Sequence, residues 1–167
     1  MASPFVLVTG GAKNIGAGIC KRLSEDGFTV ISADIADPEH DYLKDFFRLD
    51  FANPMHTRKI LSEITKKYSI TNLVNNVGVV APSSIENTSI EEFNQVININ
   101  SLSALVASQV IVPEMKAQKY GRIVSIASRV VLGKELRTAY SASKGAILAM
   151  TRTWALELAE HGITVNC

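Results

Sequence analysis

The chain has 167 residues, 47% of them hydrophobic and 20% charged, enough for one domain to bury a full core without disulfides or metals, which excludes a disordered segment. Seventeen Lys and Arg against sixteen Asp and Glu leave a formal charge of +1, which offers no basic field to a nucleic acid. Cys20 and Cys167 lie far apart with no Cys-x-x-Cys or Cys/His cluster, so neither a disulfide scaffold nor a metal site is expected, and a reducing cytoplasm fits. The opening Met-Ala-Ser-Pro-Phe lacks a basic n-region, and apolar stretches such as Ala104 to Val112 fall short of the roughly 18 residues that span a bilayer. A soluble, untargeted protein is expected, with no membrane and no nucleic acid among its partners.

In chain order, Phe5-Val6-Leu7-Val8 predicts a buried strand ended by Thr9-Gly10-Gly11. Ile15, Ile19 and Leu23 recur every four positions, which predicts a helix closed at Gly27. Thr29 to Asp34 is the second strand, completing a βαβ unit. Ile35 to Asp45 is polar and predicts a loop with at most one helical turn, followed by a brief strand from Phe46 to Leu49. Asn53-Pro54 supplies a cap and a first-turn proline for a helix whose face is Ile60, Leu61, Ile64 and Tyr68. Asn72 to Asn75 is the fourth strand. Ser89-Ile90-Glu91-Glu92 has the capping-box spacing and opens a helix with Phe93, Val96, Ile97 and Asn100 inward, which Pro113 bends or ends. Arg122 to Ile126 is strand five, Thr138 to about Glu160 a long helix stopped at His161-Gly162, and Ile163 to Asn166 strand six. Such alternation predicts an α/β fold, a doubly wound and mostly parallel sheet with ligands at the strand carboxyl ends.

Thr9-Gly10-Gly11-Ala12-Lys13-Asn14-Ile15-Gly16-Ala17-Gly18 sits between the first strand and its helix, where backbone approaches a pyrophosphate and offers it free N–H groups. Strand, turn, helix and a following acid occur in order, which makes nucleotide binding the reading over an ordinary turn. Asp34 follows Gly10 by 24 positions, the separation at which a carboxylate bonds both adenosine ribose hydroxyls and repels a 2′-phosphate. Lys13 argues the other way, as a cation near that ribose. Asp34 carries more weight because its place at a strand end is better defined.

These residues resemble the short-chain dehydrogenase/reductase family and its NAD(P)-binding Rossmann fold. Thr9, Gly10 and Gly16 match the family's TGxxxGxG turn, with Asn14 where the middle glycine is usual. Asparagine tolerates left-handed backbone better than other non-glycine residues. Asn75-Asn76-Val77-Gly78 resembles the NNAG segment, and Tyr140-Ser141-Ala142-Ser143-Lys144 matches YxxxK. Ser128 falls at the family's serine, Asn100 at its helix asparagine, and Asp50 where a side chain holds the adenine amino group. The resemblance covers essentially the whole chain. It implies catalytic roles for Asn100, Ser128, Tyr140 and Lys144, and cofactor contacts from Gly10, Lys13, Asn14, Ile15, Gly16, Asp34, Asp50, Asn76, Gly78, Tyr140 and Lys144. Two departures stand out. Only sixteen positions separate Asp34 from Asp50, leaving no room for the usual helix between strands two and three. The text stops at Cys167, where the family continues into a substrate loop and a last strand. The expectation is a single C-terminally truncated Rossmann domain, with strand six at an open edge and a natural polypeptide several tens of residues longer; Trp154 and Leu158 are read as packing core or a neighbouring subunit, or, if the chain ends at Cys167, as part of a surface that faces water unless another chain covers it.

Free tyrosine titrates near about 10, too high for a proton carrier at neutral pH, so a cation must favour its phenolate. Tyr140 and Lys144, at i and i+4, are neighbours on one helical face. By resemblance, Lys144 also holds the nicotinamide ribose, Ser128 bonds the reacting oxygen, and Asn100 binds backbone and a proton-carrying water. The expected function is hydride transfer between a nicotinamide cofactor, NAD(H) ahead of NADP(H), and a secondary alcohol or ketone. The alternatives are an NADPH-dependent 3-oxoacyl thioester reductase, or a nucleotide-binding protein without turnover. The family commonly pairs the Tyr140 helix and its predecessor across a dimer axis, so a homodimer or homotetramer is expected. His40, His56 and His161 show no ligand spacing, His161 reads as a response to its helix's negative end, and Lys66-Lys67 reads as a solvated helix end.

Overall fold

The computed structural model describes residues 3–167. Strands β1 (Phe5–Thr9), β2 (Thr29–Asp34), β3 (Asp45–Arg48), β4 (Ile70–Asn75), β5 (Gly121–Ser125) and β6 (Ile163–Asn166) form one parallel sheet in the order β3-β2-β1-β4-β5-β6. The order reverses between β1 and β4, and the crevice beyond their carboxyl ends is where such sheets bind ligands. No helix separates β2 from β3, as the short spacing predicts.

Helices α1 (Asn14–Glu25), α2 (Pro54–Lys67), α3 (Ile90–Ile97), α4 (Ser103–Gln118) and α5 (Thr138–Leu158) connect the strands. Asn53 caps α2 by accepting the His56 N–H at 3.0 Å, and Ser89 caps α3 by accepting that of Glu92 at 3.1 Å. Alternation along β1 feeds two cores. Leu7 packs with Ile31, Leu61, Ile64, Ile111 and Met115, while Val6 and Val8 pack with Cys20 and Val30 beneath α1. Each fully buried aliphatic side chain contributes roughly 1.5–3 kcal/mol, so these layers fix the height of both strand ends at the crevice.

Several expectations change. Ile15 is 65% exposed and outside the core, because it stands in the first turn of α1, where it lines the crevice. Pro113 lies inside α4, which continues to Gln118. Ile111 and Met115, both fully buried, anchor the helix on either side of it, so packing overrides the lost hydrogen bond. Between α3 and α4, Asn98–Leu102 forms a π-helical turn, which the period of the sequence does not reveal. The whole run Ile90–Gln118 is long and apolar enough to cross a membrane, yet half of its apolar window is buried within the fold, as in a core helix. Leu158 is buried and Trp154 packs against the main core, which agrees with the core reading of these two residues and not with a water-facing patch. What β5 and β6 expose is the alternate set Val124, Thr164 and Asn166, and among the described residues β6 pairs only with β5. Lys67 is not simply solvated: its ammonium pairs with Asp45 at 2.7 Å. His161 lies 3.5 Å from Glu160 beside the helix end.

Candidate functional site

Gly10 leaves β1 at φ +68° with its N–H donating to Ala33 O at 2.8 Å, which turns the chain under the start of α1. A Cβ on Gly16 would lie 1.9 Å from Gly10 O, so only glycine permits this approach of helix to turn. Asn14 adopts φ +51°, doing the work of the family's middle glycine in the left-handed region. Lys13, at the cap of α1, gives no side-chain cap bond, and the first turn holds no acid. The leading N–H groups of α1 therefore face the crevice without an intrahelical partner, a suitable cradle for a pyrophosphate.

The crevice is a cleft of about 390 Å³. Its walls bring together Gly10, Lys13, Asn14, Ile15, Gly16, Asp34, Asp50, Asn76 and Gly78, all named from the sequence. Asp34 holds the turn as well as facing the cleft: its carboxylate accepts Ala12 N–H at 2.9 Å and Ala36 N–H at 3.1 Å. Lys13 is engaged by Glu39 at 2.8 Å, which raises the lysine and lowers the glutamate from their ordinary values. Asp50 accepts the Ala52 N–H at 2.9 Å. Asn76 ties β4 to the glycine turn, its amide donating to Gly10 O at 2.7 Å while Thr9 Oγ1 accepts its N–H at 3.2 Å.

Tyr140 and Lys144 do not line this cleft; Gly78 links them to it. A Cβ on Gly78 would stand 3.4 Å from Lys144 Nζ and 3.6 Å from Asn100 Oδ1. Lys144 is 3% exposed, its ammonium donates to Ile126 O at 2.6 Å, and burial pulls it below the ordinary lysine value. It lies 5.8 Å from the centre of the Tyr140 ring. Tyr140 is half-buried, and it shares a second cleft with Ser128, whose Oγ accepts the Val130 N–H at 3.2 Å.

Asn100 sits on the π-helical turn, buried and fully engaged. Its Oδ1 accepts Val79 N–H at 2.7 Å, and its amide donates to Val79 O at 2.9 Å and Ser143 Oγ at 2.9 Å. The expected backbone bond is thus to one residue, Val79, beyond the end of β4. Replacing Asn100 by Leu strands both main-chain groups of Val79, and urea unfolding should show a loss of about 1–3 kcal/mol.

The family model described as short chain dehydrogenase matches residues 4–167. The chain belongs to that family. It is a nicotinamide-dependent oxidoreductase of the class that interconverts alcohols and ketones. Among short-chain dehydrogenases, a 3-oxoacyl acyl-carrier-protein reductase of Thermotoga maritima is 33% identical over 96% of this chain and 70% of its own length. The L-fucose dehydrogenase of Bos taurus is 30% identical, over 99% of this chain and 64% of its own. Among solved structures, a candidate NAD(P)-dependent gluconate 5-dehydrogenase of Beutenbergia cavernae, with NADP bound at low occupancy, superposes with TM-score 0.94 at 28% identity, over 99% of this chain and 71% of that one. The chain thus spans about 70% of the length of the first of these relatives.

Sequence reasoning assigned no role to Ser143. Its hydroxyl donates to Tyr140 O at 2.8 Å and accepts from Asn100, and Ser101 Oγ bonds its carbonyl at 2.9 Å. The signal was a serine inside the YxxxK turn of an otherwise apolar helix face. Also unassigned were Arg129, Lys134 and Arg137, which line the cleft of Tyr140.

Proposed function

We propose that Tyr140 is the acid/base of this oxidoreductase, taking the proton of a secondary alcohol or giving one to a ketone. The observation that carries the reading is the buried Lys144 ammonium beside Tyr140, reached through Gly78 from the glycine-turn cleft. The nicotinamide ring, when bound, accepts or supplies the hydride. The residues present fit such a cofactor, because Gly16 lets α1 close on the glycine turn and the open end of α1, with no side-chain cap and no acid in its first turn, faces the cleft. Ser128 orients the reacting oxygen. Lys144 stabilises negative charge on Tyr140 and holds the nicotinamide ribose, and Asn100 positions Val79 and binds a water that carries protons from Lys144. A panel of secondary alcohols and ketones, followed at 340 nm with NAD(H) and NADP(H), tests this. Binding of NADH with no turnover of any member would instead support a nucleotide-binding protein.

We further propose NAD over NADP. Lys13 is the single cation in the wall of the glycine-turn cleft among the described residues, and Glu39 already holds it, while Asp34 and Asp50 both add negative charge there. Fluorescence titration should give tighter binding of NADH than NADPH. Asp34→Ala should narrow that gap by removing repulsion and ribose bonds, whereas Glu39→Gln, which frees an exposed lysine, should improve NADPH roughly two- to fivefold. Equal affinities in the parent would reject this and favour the second reading, an NADPH-dependent 3-oxoacyl thioester reductase, which similarity to the Thermotoga maritima enzyme supports. A homodimer or homotetramer in the cytoplasm completes the proposal.

A further inference from the structure

The cleft that Tyr140 and Ser128 share has a volume of about 750 Å³ and no lining residue in common with the glycine-turn cleft. Among the described residues its walls carry three cations, Arg129, Lys134 and Arg137, and no acid. None of the three has a carboxylate within ion-pair distance among the described residues, although other lysines and arginines of the chain do find such partners. Glu135 is the one acid of the segment; it lines the neighbouring recess beside Lys134 and Arg137 without pairing with either. On a chain whose net charge is +1, so concentrated and uncompensated a group is unusual. Its scaffold is specified rather than slack. Gly133 takes φ +105°, and Leu136, without the excuse of a glycine or asparagine, takes φ +56°. That strained carbonyl accepts the Ser83 N–H at 3.2 Å and one Arg137 guanidinium N–H at 2.9 Å. Arg137 is thereby anchored half-buried, three residues before Tyr140, with the rest of its donor fork unbonded. Strain kept at such a point is a mark of a functional constraint.

We propose that this cleft binds an anionic group of the substrate, so that the alcohol or ketone turned over is a carboxylate or phosphate ester whose charge is held by Arg137 and Lys134, with Arg129 adding to the field. Val80, Pro82 and Leu132 line the remainder and take the carbon chain. The inference rests on the reading of Tyr140 as the acid/base, since it is the separation of the anion from that hydroxyl that selects the carbon to be oxidised or reduced.

The test uses the protein as its gene encodes it and substrates matched in all but charge: hydroxy acids with their amides, hydroxyalkyl phosphates with the corresponding diols, and acetoacetate with its neutral N-acetylcysteamine thioester. The charged member should be favoured in kcat/KM by at least about thirtyfold, mostly through KM, the size expected of one or two charge-assisted hydrogen bonds. Whether carboxylate or phosphate is the natural group follows from which pair shows the larger ratio. Raising salt from about 0.05 to about 0.5 M should shrink the ratio, a readout independent of any variant. Arg137→Gln and Lys134→Gln should each lower it about tenfold, and Arg137→Lys less, with NADH titration reporting that the variants remain folded. Equal turnover of charged and neutral members, or variants that depress both alike, would overturn the anion subsite and leave hydride transfer standing. Absence of turnover across the whole panel, in protein that binds NADH, would overturn both.

Discussion

Tyr140→Phe should lower kcat/KM by about 10²–10⁴, the contribution of a positioned general acid or base, while leaving NADH affinity and the urea midpoint at their parental values. The separation of effects follows from where Tyr140 is bonded. Its backbone carbonyl accepts Ser143 Oγ at 2.8 Å, an interaction that phenylalanine keeps, and its ring is only half-buried, so the lost hydroxyl leaves no cavity in the core. Steady-state rates on a responsive alcohol or ketone, beside an NADH titration, give both quantities. Turnover at the parental rate would assign the proton to another group, and loss of NADH binding in parallel with rate would turn Tyr140 into a cofactor contact.

Most of the path to the site could be read in the sequence because it depends on short-range chemistry. A strand running into Thr9-Gly10-Gly11, a helix beginning within one turn, and Asp34 at the end of the next strand are neighbours along the chain, so their spacing is already geometry. Asn14 could be trusted in a left-handed turn for the same local reason, and the structure places it at φ +51°. What the sequence did not reveal depends on contacts across the chain. The π-helical turn that aims Asn100 at Val79 has no periodic signature, and the pairing of Lys13 with Glu39 needs the Ile35–Lys44 loop to fold back over the glycine turn, where His40 also reaches Gly11 O at 3.1 Å. Pro113 does not end its helix for a related reason: local propensity allows a bend or a stop there, and the buried Ile111 and Met115, two residues to either side, hold the helix through to Gln118. The cationic cleft was invisible because Arg129, Lys134 and Arg137 look like an ordinary solvated loop until Ser128 and Tyr140 are seen beside them.

Lys144→Met is the substitution in which activity and stability should part most widely. The ammonium is buried, has no carboxylate partner among the described residues, and is satisfied by Ile126 O alone. With the ammonium 5.8 Å from the centre of the Tyr140 ring and an effective dielectric of about 20, its attraction for a negative charge delocalised over that ring is about 3 kcal/mol, which corresponds to roughly a hundredfold in rate. Removing it should therefore cost about that much in kcat/KM at neutral pH, together with affinity for NADH. Stability should move the other way. Stranding Ile126 O costs about 1–3 kcal/mol, but taking an ammonium out of water costs several, so the methionine variant should be at least as stable as the parent at pH 7. The pH dependence fixes the cause. Burial lowers the folded-state value of Lys144 below 10.5, so between that lowered value and 10.5 the unfolded chain carries more protons than the folded one, and the parent gains stability as pH rises through this window. Below the window the full cost of the buried charge is present; above it, both states are neutral and the cost is gone. The methionine variant lacks this gain, so its advantage in urea should be greatest near neutrality and should close as the pH approaches 10.5. A variant that is less stable at pH 7, by a margin that does not change with pH, would show that Lys144 is held by packing alone and that its charge imposes no cost for Tyr140 chemistry to justify.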